Sequence, residues 1–386
     1  MRGCILPQSS SALVDTVEWA HLLLPSWSCQ PRRLSPIDVK FGMYGPFEPL
    51  SAIYETATFA EDQGLDSYWL GDRAIAFPDP DVIEAWSALA AVAAKTERIQ
   101  LGMSVTDPFR RGPGLFAQTV VALDHISNGR AIPGIGVGEK VNLVPFGISM
   151  DQASARMEEF IEFAKRYWTG ERIEHRGRFF ESRQGVVRPT PVQQPHPPIW
   201  IAANSPRTIP ILGRVGDGWL PAAKSPAMYK EDLAAIRAEA RKAGRNPSSI
   251  VPGLFMYMVV ADDRDYCRKV VDDFGCALLV WWRTSLARAG ASVGSNRLSI
   301  VNFDASPETF KEWLEAGRRI PEETRQQLIN FGTPEEVSAR ILEYVDAGVQ
   351  HFVIVPLDGF TDVARWKETA TIVRNTVIPE VTHSVV

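Results

Sequence analysis

Cysteine is scarce in this chain. There are four in 386 residues, Cys4, Cys29, Cys267 and Cys276, with no Cys-x-x-Cys pair and no histidine at ligand spacing. That pattern excludes a disulfide-stapled scaffold and argues against a metal site. No run of 18 apolar residues occurs, so nothing has the length of a membrane-spanning helix. The apolar residues from Cys4 to Pro7 are too few for a signal-peptide core. A basic excess is also missing, because 41 Lys and Arg stand against 46 Asp and Glu, a formal net charge of -5. Nucleic acid is therefore not an expected partner. Together these absences point to a cytoplasmic protein with no metal, no nucleic acid and no membrane insertion.

What is present is an ordinary globular composition, 45% hydrophobic and 23% charged, enough to bury a large core. Residues 1–37 break every period, with Ser9 to Ser11, Pro25, Pro31 and Pro36, and read as a disordered extension or a wrongly assigned start. From Val39 short apolar runs alternate with amphipathic stretches, the pattern of βα units on a parallel sheet. Eight candidate strands fall at 39–44, 67–70, 99–104, 131–136, 199–202, 218–220, 251–260 and 351–355. Gly64 and Gly348 each close a helix before a strand, the place of a left-handed residue. Thr333-Pro334-Glu335-Glu336 supplies an N-cap, a proline at the first helical position and a glutamate in capping-box order.

Eight such units make a TIM-like (β/α)8 barrel in about 250 residues, which leaves room for insertions. They are expected at about 171–198, where Phe179 and Phe180 close a small hairpin, and at about 274–331, which carries Trp281 and Trp282. The barrel domain spans 38–380, and 381–386 form a tail. The competing open Rossmann-type sheet lacks its Gly-x-Gly-x-x-Gly signature. Gly134-Ile135-Gly136-Val137-Gly138-Glu139 has alternate glycines at the wrong spacing.

Ligands of such barrels sit at the C-terminal strand ends. Here those ends read Tyr44-Gly45, Gly71-Asp72-Arg73, Ser104-Val105-Thr106-Asp107, Gly136-Val137-Gly138-Glu139, Ala203-Asn204-Ser205 and Pro221-Ala222. Alternate glycines let backbone N–H groups face a flat or anionic ligand. Glu139 in an apolar surround would stay partly protonated and act as a proton donor. Asp72 would find hydrogen-bond partners on a bound heterocycle, or pair structurally with a neighbour such as Arg73. Arg73 stays charged and cannot be a general base, but it can hold an anionic group. Asn204 or Ser205 would cap a helix with Pro206 at its first position, presenting N–H groups to a phosphate. A Schiff-base lyase would need a strand-end lysine, for which only Lys140 and Lys224 are near.

Five blocks in order carry a family resemblance: residues 66–72, 101–107, 134–139 with Asn142, 200–206 and 213–219. They resemble the bacterial-luciferase-like superfamily, and within it the branch that uses the deazaflavin coenzyme F420, including phthiodiolone ketoreductases and methylenetetrahydromethanopterin reductases. The resemblance implies a TIM-like barrel, often dimeric, acting on a small organic molecule. It implies an F420-dependent oxidoreductase passing hydride to a carbonyl or conjugated substrate, with an FMN-dependent monooxygenase as the alternative. It places Asp72 in the deazaflavin pocket, a non-prolyl cis peptide at Ser104-Val105 behind the ring with Thr106 beside it, and Gly136, Gly138, Glu139 and Asn142 at the pyrimidine edge. Ala202, Ala203, Asn204 and Ser205 fall near the phosphate. Glu139, Asp72 and Arg73 are the catalytic candidates. Several relatives carry His where Arg73 stands, so the resemblance favours reduction over alcohol oxidation, or binding of an acidic substrate.

Overall fold

Strands and helices alternate from Lys40 onward in the computed structural model, which describes residues 39–75, 81–304 and 306–385. The expectations placed on residues 1–37 lie outside these. The strands are β1 (Lys40–Tyr44), β2 (Ser67–Leu70), β3 (Gln100–Met103), β4 (Ala131–Ile132), β5 (Gly134–Ile135), β6 (Ile173–Arg176), β7 (Glu181–Gly185), β8 (Trp200–Ile201), β9 (Gly218–Trp219), β10 (Val251–Val260), β11 (Asn330–Gly332) and β12 (His351–Pro356). Nine run parallel in the order β4-β3-β2-β1-β12-β10-β9-β8-β5, and β11 pairs beside the end of β10.

The two ends of that order, β4 and β5, are neighbours in sequence separated by Pro133, which has no N–H to give a ladder. β4 pairs with β3 while β5 pairs with β8, and Thr106 beyond β3 bridges Ile135. The split strand thus brings the two edges together into a nearly closed barrel. Counting its halves as one restores the eight strands of a TIM-like (β/α)8 fold rather than an open sheet.

Strand residues alternate between two cores, as the two-residue period requires. Phe41, Met43, Tyr68, Leu70, Leu101, Met103, Phe352 and Ile354 pack outward under the helices. Tyr44, Trp69, Trp200, Tyr257, Val353 and Val355 belong to the inner cluster. The inner floor is aromatic: Trp69 and Trp200 stand 5.2 Å apart, and His351 sits 5.1 Å from Trp200. Glycine makes room for them. A Cβ on Gly102 would lie 2.0 Å from the Trp69 ring, and one on Gly218 2.4 Å from Trp200. These rings fill the barrel below the strand ends, and the cleft lies at the C-terminal mouth.

β6 and β7 form an antiparallel hairpin, with the Gly177 N–H donating to Phe180 O across its turn. Between β10 and β11 the chain makes the helices Arg264–Val270, Cys276–Val280, Arg283–Arg288, Pro307–Arg318 and Glu322–Leu328. Trp281, Phe303 and Trp313 pack together there, the two indoles stacked at 4.9 Å. Phe274 and Phe310 lie edge-on or tilted against Trp313.

Candidate active site

The strand ends open into a cleft whose empty volume, counted with its open mouth, is about 900 Å3. Asp72, Arg73, Ser104, Val105, Thr106, Gly136, Gly138, Glu139, Asn142, Ala202 and Asn204 all line it. Ser205 does not, but it lines an adjoining recess with Thr208, Arg283 and Asn296. Ala203 lies in neither: its side chain is buried in the outer core and its carbonyl accepts from Trp219 Nε1 at 2.8 Å. The expected helix cap is also displaced. Residues 205–208 make a turn, with Ser205 O accepting from the Thr208 and Ile209 N–H groups, and the helix is Ile209–Val215 with Thr208 at its N-cap.

Asp72 ends the segment after β2 and is 4% exposed. Its Oδ2 accepts from Thr106 Oγ1 at 2.6 Å, Arg111 Nη1 at 2.8 Å and Trp86 Nε1 at 3.2 Å, with Arg110 Nη2 also at 3.2 Å. The protein itself therefore satisfies this oxygen, and the cationic partners of Asp72 are Arg110 and Arg111 rather than Arg73. Arg110 also donates from Nε to Asp107 Oδ2 at 2.5 Å and from Nη2 to the Asp72 carbonyl at 2.5 Å. Arg111 continues the chain to Glu84. Such interlocked, charge-assisted bonds fix the polar wall of the cleft. The sequence reading passed over Arg110, Arg111 and Trp86. A readable signal existed, since two basic residues follow Asp107 by three and four positions.

Glu139 does not have the apolar surround expected of it. Arg73 Nη1 is 3.4 Å from its Oε2, and Asn142 Nδ2 donates to the same oxygen at 3.0 Å. Asn142 is itself buried, and its Oδ1 accepts from the Ala74 and Ile75 N–H groups at 2.9 and 3.3 Å. It ties the segment after β2 to the segment after β5. Arg73 lies between Trp281 and Phe47, at 5.5 and 5.9 Å from their ring centres. Burial alone would weaken its charge, but Glu139, Tyr44 and Tyr257 around it more than offset that.

The Ser104–Val105 peptide bond is cis, where the resemblance placed it. The alternate glycines have a packing reason beside the functional one: a Cβ on Gly136 would meet Val105 at 2.7 Å, and Gly138 has a φ of 90°. The rest of the lining is largely apolar and comes from Leu220, Phe255, Trp281, Ile300 and Val301, together with the phenols of Tyr44 and Tyr257. Burial pushes both phenols well above the ordinary phenol range, so they remain O–H groups at neutral pH. Lys224 does not line the cleft: its ammonium is ion-paired to Asp232 at 2.9 Å and lies 3.4 Å from the Asn204 carbonyl. Among the described residues no group of three or more His, Cys, Asp or Glu is placed to hold a metal ion, and no helix is long and apolar enough to cross a membrane.

Residues 32–351 match the family of luciferase-like monooxygenases. A phthiodiolone/phenolphthiodiolone dimycocerosates ketoreductase of Mycobacterium kansasii is 30% identical over 76% of this chain and 87% of its own. A 5,10-methylenetetrahydromethanopterin reductase of Archaeoglobus fulgidus is 29% identical over 82% of this chain and 92% of its own. Among solved structures, an F420-dependent secondary alcohol dehydrogenase in complex with an F420-acetone adduct superposes with a TM-score of 0.75 at 21% identity, covering 89% of this chain and 99% of that one. At that identity the likeness speaks for the fold.

Proposed function

Because the chain belongs to the luciferase-like monooxygenase family, we propose that it is a coenzyme F420-dependent oxidoreductase that reduces a carbonyl or conjugated organic substrate. The observation that carries this reading is the mixed lining of the cleft, in which a fixed polar network and apolar, aromatic side chains meet at the strand ends. Its polar side also holds an orphan: Ser104 Oγ is buried without a hydrogen-bond partner. Buried polar atoms rarely stay unpaired, and a planar heterocycle with polar edges, held beside Val105 and Gly136, would supply the missing partner. Bound deazaflavin contributes hydride transfer from carbon, in two-electron steps rather than by reaction with oxygen.

The chain's own residues do the rest. Asp72, clamped by Arg110 and Arg111, keeps the polar wall in one position, and Asn142 keeps the two flanking segments in register. Glu139 is the group that exchanges a proton at the polar edge, and Arg73 is its counter-ion at 3.4 Å. Arg73 cannot take a hydroxyl proton, which favours reduction. The names of the mycobacterial and archaeal relatives, a ketoreductase and a reductase, support the same direction. Pairing with Glu139 leaves Arg73 no spare charge for an acidic substrate, so a neutral one fits better.

The family's monooxygenases favour FMN as the alternative cofactor. Titration of the purified protein with F420 and, separately, FMN, followed by tryptophan fluorescence, distinguishes them. Trp281 and Trp282 in the wall report on either ligand. Micromolar or tighter binding of F420 with weak FMN binding is the expected result; the reverse preference sinks the hydride-transfer reading.

A further inference from the structure

Two tyrosines in the cleft have no part in the chemistry so far. Tyr44 ends β1 and Tyr257 lies in β10, the two strands that flank β12. Met43 pairs with Ile354 and Tyr257 with Val355, so one step on, Tyr44 comes level with Val355 as well. Both rings therefore project from one layer of the barrel, two strands apart, with roughly 10 Å between their backbones. Both line the cleft.

Each hydroxyl faces a group that can only donate. Trp282 Nε1 donates to Tyr257 Oη at 3.0 Å, and the Arg73 guanidinium, which has no acceptor, lies beside the Tyr44 hydroxyl. A phenol facing such a group keeps its own hydrogen to give. The rings are fixed in place. Phe255 stands edge-on to Tyr44 at 5.2 Å and to Tyr257 at 5.8 Å, and Phe47 is edge-on to Tyr44 at 5.9 Å. Gly71 leaves the Tyr44 hydroxyl its place, since a Cβ there would lie 2.2 Å from that oxygen.

We propose that Tyr44 and Tyr257 are convergent donors to the substrate's carbonyl oxygen, and that they make the preferred substrate a neutral ketone with apolar arms. The proposal rests on the reductase reading above. In the step it describes, the carbonyl carbon gains hydride from the reduced deazaflavin and the C=O π pair moves onto oxygen. That oxygen takes a proton from a phenol, which recovers one from water. The ketone gains two electrons and becomes a secondary alcohol, and the coenzyme loses two. Donors aimed at an oxygen where charge develops typically contribute about 100-fold or more to turnover.

The test uses Tyr44→Phe, Tyr257→Phe, the double variant and Trp282→Phe, with cyclohexanone as the probe and pyruvate as its charged counterpart. F420 titration, steady-state reduction and the infrared C=O stretch of 13C-labelled cyclohexanone on coenzyme-free protein are measured for each. The expected result is F420 affinity within twofold of wild type, kcat down at least tenfold in each Tyr variant with a smaller change in KM, and a smaller loss in Trp282→Phe. Cyclohexanone is expected to outperform pyruvate. The carbonyl stretch of the bound ketone should lie below its free value in wild type and return toward it in the double variant. Wild-type kcat and an unchanged carbonyl stretch in the double variant overturn the assignment while leaving the reductase reading intact. Failure of wild type to bind F420 or reduce ketones instead removes the reductase reading, and the infrared shift then decides the phenol assignment alone.

Discussion

Glu139 and Arg73 are the residues at which charge type matters most, because each is the other's counter-ion across the two segments that carry them. Replacing Glu139 by Gln keeps the shape and the bond from Asn142 but removes the ionisable group. Turnover is expected to fall about 100-fold, in the range usual for loss of an acid–base group, with F420 affinity changed by no more than a few-fold. Single-turnover oxidation of reduced F420 reads the first quantity and fluorescence titration the second. Wild-type turnover in that variant takes Glu139 out of the mechanism. The residue types at this site were legible in the sequence because strand ends can be located from apolar runs. Their pairing was not. Nothing in the local pattern around Asp72 announces that its oxygen will be met by Arg110 and Arg111 from the segment after the next strand, since that depends on barrel closure.

At the scale of elements, local signals succeeded where one signal stood alone. Thr333 accepts from the Glu336 N–H while the Glu336 side chain accepts from the Thr333 N–H, the reciprocal cap that the four residues spell out. Gly64 and Gly348 take positive φ, at 71° and 104°, as helix-ending glycines should. After β8 two starts compete: Ser205-Pro206 and, four positions on, a second proline, Pro210, behind Thr208. The chain spends Ser205 on a turn and begins the helix at the second. The segment between β10 and β11 resisted reading for another reason. Apart from Pro307–Arg318 its helices are short and Val271–Gly275 is a π-turn, so across most of it no 3.6-residue stripe persists long enough to see. The cap offers a clean test. Thr333→Ala is expected to lower stability by about 1 kcal/mol, read as a lower urea midpoint with an unchanged slope, while F420 affinity stays at the wild-type value. An unchanged midpoint would show that the helix Pro334–Asp346 is held by packing alone.

The whole molecule depends on a floor that is aromatic and has almost no polar give. His351 opens β12 at the closed end of the barrel, 1% exposed, and its Nε2 meets Ser67 Oγ at 2.7 Å. Trp69 Nε1 also donates to that hydroxyl at 2.7 Å, which leaves the Ser67 hydrogen for a neutral imidazole. Burial, with Lys40 adding to it, pushes the His351 pKa down to about 3. The unfolded chain binds a proton on this ring below pH ~6.5; the folded barrel does not until near pH 3. Between those values the unfolded state holds more protons, so stability is complete above about pH 6.5 and declines as the pH falls, by up to about 1.4 kcal/mol per unit from this group. His351→Gln retains a polar contact for Ser67 but cannot titrate. Its thermal midpoint at pH 7.5 is expected to lie below wild type, because a ring packed between Trp69 and Trp200 has been lost. Its decline from pH 6.5 to pH 4.5 is expected to be shallower, so the two melting curves converge in acid. Parallel declines would place the acid sensitivity elsewhere and leave the floor indifferent to pH.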